Sequence, residues 1–230
     1  MGGRERTSAV TFAILGPLEV RLDGARTSVG GPRAQAILAA LLLHVGERVS
    51  TETLIDLVWG EEPPPTARSA LQVHISKLRR RLEELGASAG LATHGSSYSL
   101  EMSHDQLDAR RFPRLVEEGR AHLAAGDAEA AKDALAEALA LWRGFPLSDV
   151  DLPGLTPGAF RELEQQHHLA SVLRLEAELD LGRHAEIVPD LMKARAGEPL
   201  DERLAELTAV ALVRSGRQAD ALAELSALRR

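Results

Sequence analysis

Apolar positions along the first hundred residues change period several times. Short β-like runs come first: Phe12, Ile14 and Leu15, then Leu18, Val20 and Leu22, separated by Gly16-Pro17. Asp23-Gly24 is a hairpin-turn signal, and residues 27–29 return along it. Gly30-Gly31-Pro32 ends the sheet, and the spacing becomes helical. One helix is predicted over residues 33–44, with Gly46 just past its end. Ser50 or Thr51 caps a second, which runs through Leu54, Ile55, Val58 and Trp59 and stops at Gly60. Glu61, Glu62, Pro63, Pro64 and Pro65 form a stiff, extended loop. Thr66 caps a long third helix that reaches Leu85 and is followed by Gly86. Residues 91–93 and 98–100 read as a closing hairpin with residues 94–97 at its tip.

From Asp105 onward the pattern is helical almost throughout, with one broad break at residues 142–157, rich in Gly, Pro and Asp. Three helix–turn–helix boundaries share a Gly, at Gly126, Gly182 and Gly216. Gly182 and Gly216 are 34 residues apart, the tetratricopeptide period; Gly126 and Gly182 are 56 apart, one period plus an insertion that the break can supply. Small residues after each turn (Ala128, Ala130 and Ala131; Ala185; Ala219 and Ala221) are expected to let paired helices approach closely. The fold class is therefore mainly α: an N-terminal winged helix-turn-helix (small β-sheet, three helices, β-hairpin wing) over residues 10–103, then an all-α tetratricopeptide-like domain over residues 105–230.

Composition narrows the chemistry. The 230 residues are 44% hydrophobic and 27% charged, which suits globular domains. Cysteine is absent, which excludes disulfides, thiolate metal sites and a cysteine nucleophile. The longest apolar run, residues 36–43, is far short of the roughly 18 residues a membrane helix needs, and residues 1–6 lack a signal-peptide core. A soluble, cytoplasmic protein with no membrane partner is expected.

Net charge is −7, which taken alone argues against nucleic acid. The distribution reverses that argument. Residues 1–104 carry 11 basic and 11 acidic side chains; the remaining residues carry 16 and 23. Within the neutral half, residues 66–82 hold Arg68, Lys77, Arg79, Arg80 and Arg81 and no acid. Projected at 100° per residue, Ala67, Leu71, Ile75, Leu78 and Leu82 form one apolar face. Ser69, Gln72, Val73, Ser76, Lys77 and Arg80 lie opposite. Gln and Lys can reach base edges in a major groove, Ser fits close to them, and Val can meet a thymine methyl. Arg68, Arg79 and Arg81 lie at the flanks, where phosphates would be. Phosphate attraction is local over about a Debye length, so acidity elsewhere does not oppose it.

The stretch Leu71-Gln-Val-His-Ile-Ser-Lys-Leu-Arg-Arg-Arg-Leu82 resembles the recognition helix of OmpR-type winged-helix domains. Leu54-Ile-Asp-Leu-Val-Trp-Gly60 with its Pro-rich loop, and residues 12–22 around Leu15-Gly-Pro-Leu18, resemble one branch, the Streptomyces antibiotic regulatory protein (SARP) family. Leu107-Asp-Ala-Arg-Arg-Phe112 and Ala138-Leu-Ala-Leu-Trp-Arg-Gly144 are similar to that family's tetratricopeptide-like bacterial transcriptional activation domain. The resemblance covers residues 10–228. It implies an activator of secondary-metabolite (antibiotic) genes that binds directly repeated promoter sites in the bacterial nucleoid as two protomers and recruits RNA polymerase holoenzyme. Carried over by position, Ser76, Lys77 and Arg80 would address bases or nearby phosphates, and His74 and Arg79 the backbone. Arg33 would meet a phosphate at the start of the first helix, and His94, Ser96 and Tyr98 would be wing contacts. Glu61, Glu62, Pro63, Pro64 and Pro65 correspond to the polymerase-contact loop.

Two departures stand out. The family's wing ends Gly-Tyr, whereas this one ends Ser97-Tyr98, so a different turn is expected at the tip. The chain also stops at Leu228-Arg-Arg230 inside a helical pattern, where family activation domains continue, so a truncated longer protein is expected. Some relatives carry an ATPase domain beyond that point, but no GxxxxGK[ST] loop occurs here. Glu164 and His167 make a Glu-x-x-His step, but a di-iron site needs a second copy, so a charged surface helix is expected. Trp59 and Trp142 read as core anchors. No catalytic constellation, metal site or cofactor is expected. The competing reading is a helical-repeat adaptor whose winged helix no longer reads DNA, motivated by Ser97 and the acidic second half.

Overall fold

The computed structural model describes residues 10–86 and 90–228. Arg229 and Arg230, the last residues of the expected second domain, lie outside that range, as does the N-terminal segment read for a signal peptide. The described residues form two compact units that are not contiguous in sequence: those from 10 to 111 pack with residues 141–161, and residues 112–140 pack with residues 162–228.

The first unit opens with an antiparallel three-stranded sheet, β1 (Val10–Ala13), β2 (Glu19–Leu22) and β3 (Ala25–Thr27), in that order. Asp23 and Gly24 adopt φ of 50° and 84°, the sign a two-residue type I′ loop demands. The predicted first run extended to Leu15, but the strand stops at Ala13. The Ile14 and Leu15 amides turn away from the ladder and donate to the two carboxylate oxygens of Asp108, at 2.8 and 3.0 Å.

Helix α1 (Pro32–Leu43) follows, with Pro at its first turn and eight buried residues between Ala34 and Leu42. A two-residue strand absent from the sequence reading, β4 (Val49–Ser50), precedes α2 (Thr51–Trp59). Ser50 is the cap: its Oγ accepts from the Thr53 amide at 3.0 Å. Thr51, the other candidate, is buried, and both its amide and hydroxyl donate to the Ser96 carbonyl at 2.8 Å. Helix α3 (Ala67–Glu84) buries Ala67, Leu71, Ile75, Leu78 and Leu82, the apolar face the periodicity marked. Thr66 occupies its cap position but makes no side-chain cap bond; instead Ser69 Oγ donates to the Thr66 carbonyl at 2.9 Å. Strands β5 (Gly90–His94) and β6 (Ser97–Glu101) form the wing, and β4 adds to β6, giving the order β4-β6-β5.

The second unit is helical. After a 3₁₀ turn at His104–Gln106 come α4 (Asp108–Ala124), which starts in the first unit, α5 (Ala128–Ala140), α6 (Arg161–Asp180), α7 (His184–Gly197), α8 (Glu202–Arg214) and α9 (Gln218–Leu228). The turns ending α4, α6 and α8 are built alike. Gly126, Gly182 and Gly216 have φ of 77°, 81° and 77°. Each Gly amide bonds the carbonyl three residues back, and the next residue's amide bonds the carbonyl five back. This is the Schellman motif, which needs a left-handed residue and so favours Gly.

Of the alanines expected to line helix contacts, Ala131 and Ala221 are buried, whereas Ala185 and Ala219 are exposed. The phase explains this. On α7 the inward positions are Ile187, Val188 and Leu191, and Ala185 lies about 200° from Ile187. The core here includes Leu175, Leu179, Leu191, Leu204, Leu207 and Leu212. Among the described residues no helix is long and apolar enough to cross a membrane.

Candidate nucleic-acid interface

Helix α3 is the centre of the site. Its outward face carries Ser69, Gln72, Val73, Ser76, Lys77 and Arg80, all exposed. Val73 is 52% exposed, which is unusual for a branched apolar side chain on a helix that buries its other large apolar residues. Lys77 stands clear of any ion pair among the described residues, and Arg80, with a side chain 77% exposed, has Glu84 at 3.6 Å. An exposed pair of this kind contributes about 0–1 kcal/mol, so a phosphate can replace it.

The flanking arginines are placed differently from the expectation. Arg79 Nε donates to the Leu91 carbonyl at 2.8 Å and Nη2 to Thr93 Oγ1 at 2.7 Å, which ties α3 to the wing strand β5. Arg81 Nε donates to the Ser28 carbonyl at 3.0 Å, with further bonds to Thr27 Oγ1 and Glu84, tying α3 to the end of β3 and the residue after it. Arg68 pairs with Glu52 on α2, and that hydrogen bond holds the Glu52 carboxyl below its ordinary range. These three side chains brace the helix. Apart from Glu84, their acceptors lie outside α3, so helix projection alone could not show the engagement.

His74 is half-buried. Burial, with Lys77 and Arg33 nearby, pushes its pKa below the ordinary 6.5, so the ring is neutral at neutral pH. A neutral imidazole offers a hydrogen bond to a phosphate and no net charge. Arg33 also turns inward: Nη1 donates to the Val58 carbonyl at 2.5 Å, and the guanidinium stacks 4.9 Å from the Trp59 ring. Both Trp59 and Trp142 are half-buried.

The wing tip resolves the Ser97 departure. Strands β5 and β6 pair from Gly90↔Glu101 to His94↔Ser97, which leaves only Gly95 and Ser96 as loop. The left-handed φ of 62° falls on Gly95, the first loop position, where a type II′ turn needs it. Ser97 is already in the strand and pairs with Ser50 on its other side, so no glycine is required there. His94 and Ser96 are exposed at the tip; His94 Nε2 lies 3.0 Å from Ser99 Oγ. Tyr98 is 6% exposed and belongs to the core, so its expected place among the outward wing contacts is not realised. Glu61, Glu62, Pro63, Pro64 and Pro65 are all exposed between α2 and α3.

The expected absence of a metal site at Glu164 and His167 concerns α6. There His168 Nε2 lies 2.7 Å from Asp201 Oδ2, and no group of three ligating side chains occurs among the described residues.

A family model described as "Transcriptional regulatory protein, C terminal" matches residues 27–99, and one described as "Bacterial transcriptional activator domain" matches residues 107–230. Regulatory protein AfsR of Streptomyces coelicolor is 39% identical over 229 residues, which is 98% of this chain and 22% of AfsR. Regulatory protein DnrI of Streptomyces peucetius is 33% identical over 94% of this chain and 82% of its own length. Among solved structures, Mycobacterium tuberculosis EmbR, in complex with a low-affinity phosphopeptide, superposes with a TM-score of 0.87 at 30% identity, covering 96% of this chain and 59% of EmbR. The chain thus spans about a fifth of the length of AfsR and most of that of DnrI. The two matched domains follow each other in the order the sequence implied, and the chain belongs to the Streptomyces antibiotic regulatory protein family of transcriptional regulators, not to an enzyme family.

Proposed function

We propose that the first unit binds promoter DNA in a sequence-specific way with α3 in the major groove, and that the protein activates transcription from directly repeated sites as two protomers side by side in the bacterial nucleoid. The observation that carries this reading is the outward face of α3: Gln72, Val73, Ser76, Lys77 and Arg80 are exposed together, while Arg68, Arg79 and Arg81 brace the helix from three sides. Gln72 and Lys77 suit base edges, Val73 suits a thymine methyl, and Arg80 exchanges Glu84 for a phosphate. His94 and Ser96 at the wing tip, and the neutral His74, add contacts of lower charge. The exposed loop of Glu61, Glu62, Pro63, Pro64 and Pro65 recruits RNA polymerase holoenzyme. The genes served are those of secondary metabolism.

A gel-shift titration at fixed salt tests the reading. The double variant Lys77→Ala, Arg80→Ala should weaken promoter binding by about 100-fold, taking roughly 1–3 kcal/mol per contact. Unchanged affinity in a variant with a wild-type circular dichroism spectrum would remove α3 from the interface. Glu61→Ala with Glu62→Ala should leave promoter affinity intact and lower transcription in a reconstituted polymerase assay. Footprinting and a genome-wide binding map read out the repeats and the regulated genes.

A further inference from the structure

The family model for the activation domain spans residues 107–230, and the sequence reads residues 142–157 as an insertion between helical repeats. In the structure residues 141–161 pack within the first unit. The Arg143 amide donates to the Leu15 carbonyl at 2.7 Å, and its guanidinium reaches the Pro17 carbonyl and Glu19, each at 2.9 Å. The Leu147 amide lies within reach of the Ile14 and Gly16 carbonyls, at 3.1 and 2.7 Å, and Asp149 Oδ1 accepts from the Leu18 amide at 2.7 Å. From that turn the segment runs to the C-terminal end of α2, the helix packed against α3.

At that end the last carbonyls of α2 are satisfied by three separate parts of the chain. Asp56 O accepts from the Gly60 amide at 2.8 Å, Leu57 O from the Gly154 amide at 3.2 Å, and Val58 O from Arg33 Nη1 at 2.5 Å. A helix end has several carbonyls without intrahelical partners, and these three bonds fix how the chain leaves it. Gly154 lies so close that a β-carbon there would sit 1.9 Å from the Asp56 carbonyl oxygen, and Pro153 packs 3.2 Å from where a β-carbon on Gly60 would be. The loop that begins at Gly60 leads directly into α3.

The geometry points to residues 143–154 as a strap that is part of the DNA-reading unit, with Gly154 a positioning residue that sets the exit of α2 and, through it, the seat of α3. This rests on the DNA-binding reading above for its functional readout. The strap joins the two places where the reading unit needs a fixed frame, the Ile14–Leu18 turn of the N-terminal sheet and the α2 terminus. Neither matched domain description assigns it that role.

The test uses the 230-residue protein and compares Gly154→Ala with Gly197→Ala, a position where an added methyl meets nothing within 4 Å. Gly154→Ala should speed amide exchange at Gly60 and at residue 154 at least tenfold and weaken promoter binding tenfold or more, while the helical signal and wing amides stay unchanged. Gly197→Ala should change neither. Pro153→Ala removes the ring from Gly60 without a clash and should give the same changes in smaller measure. Unchanged exchange at Gly60 in both strap variants overturns the strap, as does faster exchange with undiminished promoter affinity. Should Gly154→Ala fail to fold, Pro153→Ala and the wild-type Gly154 amide decide: exchange at that amide as fast as in an unstructured peptide overturns the inference. If the wild type binds no promoter fragment, the DNA reading fails while the exchange measurements still judge the strap.

Discussion

Arg79 on α3 and Leu91 on β5 share a 2.8 Å hydrogen bond from guanidinium to backbone carbonyl, so α3 and the wing are one mechanical piece. A charged donor to a half-buried carbonyl contributes about 1.5–3 kcal/mol. Arg79→Ala should therefore destabilise the first unit by about that much and loosen the wing. It should leave the salt dependence of promoter binding almost unchanged, because the side chain is committed within the protein. Lys77→Ala should do the reverse, with little change in stability and a slope of log affinity against log salt shallower by about 0.9. Affinities at several salt concentrations, alongside urea unfolding, separate the two. A flattened slope in Arg79→Ala would show that the guanidinium leaves Leu91 for a phosphate.

Val73 tests readout without charge. Val73→Ser should change stability by less than about 0.5 kcal/mol, since the side chain is half exposed. It should leave binding to random DNA unaltered and relax preference at one base pair. Selection from a randomised operator library would show the relaxed position; an identical preferred site would place Val73 away from the bases.

Ser50 holds the start of α2 through the Thr53 amide. Ser50→Ala should cost about 1 kcal/mol, and Ser50→Asp should recover most of it, because the cap needs an acceptor oxygen rather than a hydroxyl. Thermal unfolding of the three proteins checks this, and equal midpoints would place the cap elsewhere.

Glu19 predicts a pH dependence. Its side chain is only 10% exposed, with Arg21 at 2.7 Å and Arg26 and Arg143 at 2.9 Å. Burial pushes its pKa up, but the Arg21 hydrogen bond and the charges of Arg143, Arg21 and Arg26 together hold it below the ordinary 4.5. A carboxylate with a depressed pKa in the folded state stabilises at pH values above its unfolded value. That contribution is lost as pH falls from 4.5 through the lower folded value. The stability difference between wild type and Glu19→Gln should thus be largest at neutral pH and shrink in acid. A difference independent of pH between 3 and 7 would mean that Glu19 acts through its shape alone.

Much of the first unit was legible because its signals are local. The apolar stripe of α3 is a property of one helix, and Asp23-Gly24 defines its own turn. Asp108 was visible only as part of a family motif, because the Ile14 and Leu15 amides it receives are more than ninety residues away in sequence. Burial pushes its pKa above 3.8, against those amides, the Ala109 amide and Arg143, and no spacing rule announces that. The bracing roles of Arg68 and Arg81 were equally hidden, since Glu52 and Ser28 lie on other elements. Strand β4 has two residues, too few for any period, and exists because β6 offers Ser97 and Tyr98 as partners. Residues 142–157 were recognised as a break in the helical grammar, but Gly and Pro say where a pattern stops, not what the stretch will lie against.

The non-contiguous build of the first unit has a consequence for the order of synthesis. Roughly fifty residues separate the end of the wing from Gly154, and at ~5–20 residues per second the ribosome takes roughly 3–10 s to make them. During that interval the sheet, three helices and wing can form, while Leu57 O has not yet received its amide. The α4–α5 pair ends at Ala140 and is made in full before the strap emerges. The first unit is therefore finished after the α4–α5 pair, and a nascent chain stalled before residue 154 would display α3 with its seat still open.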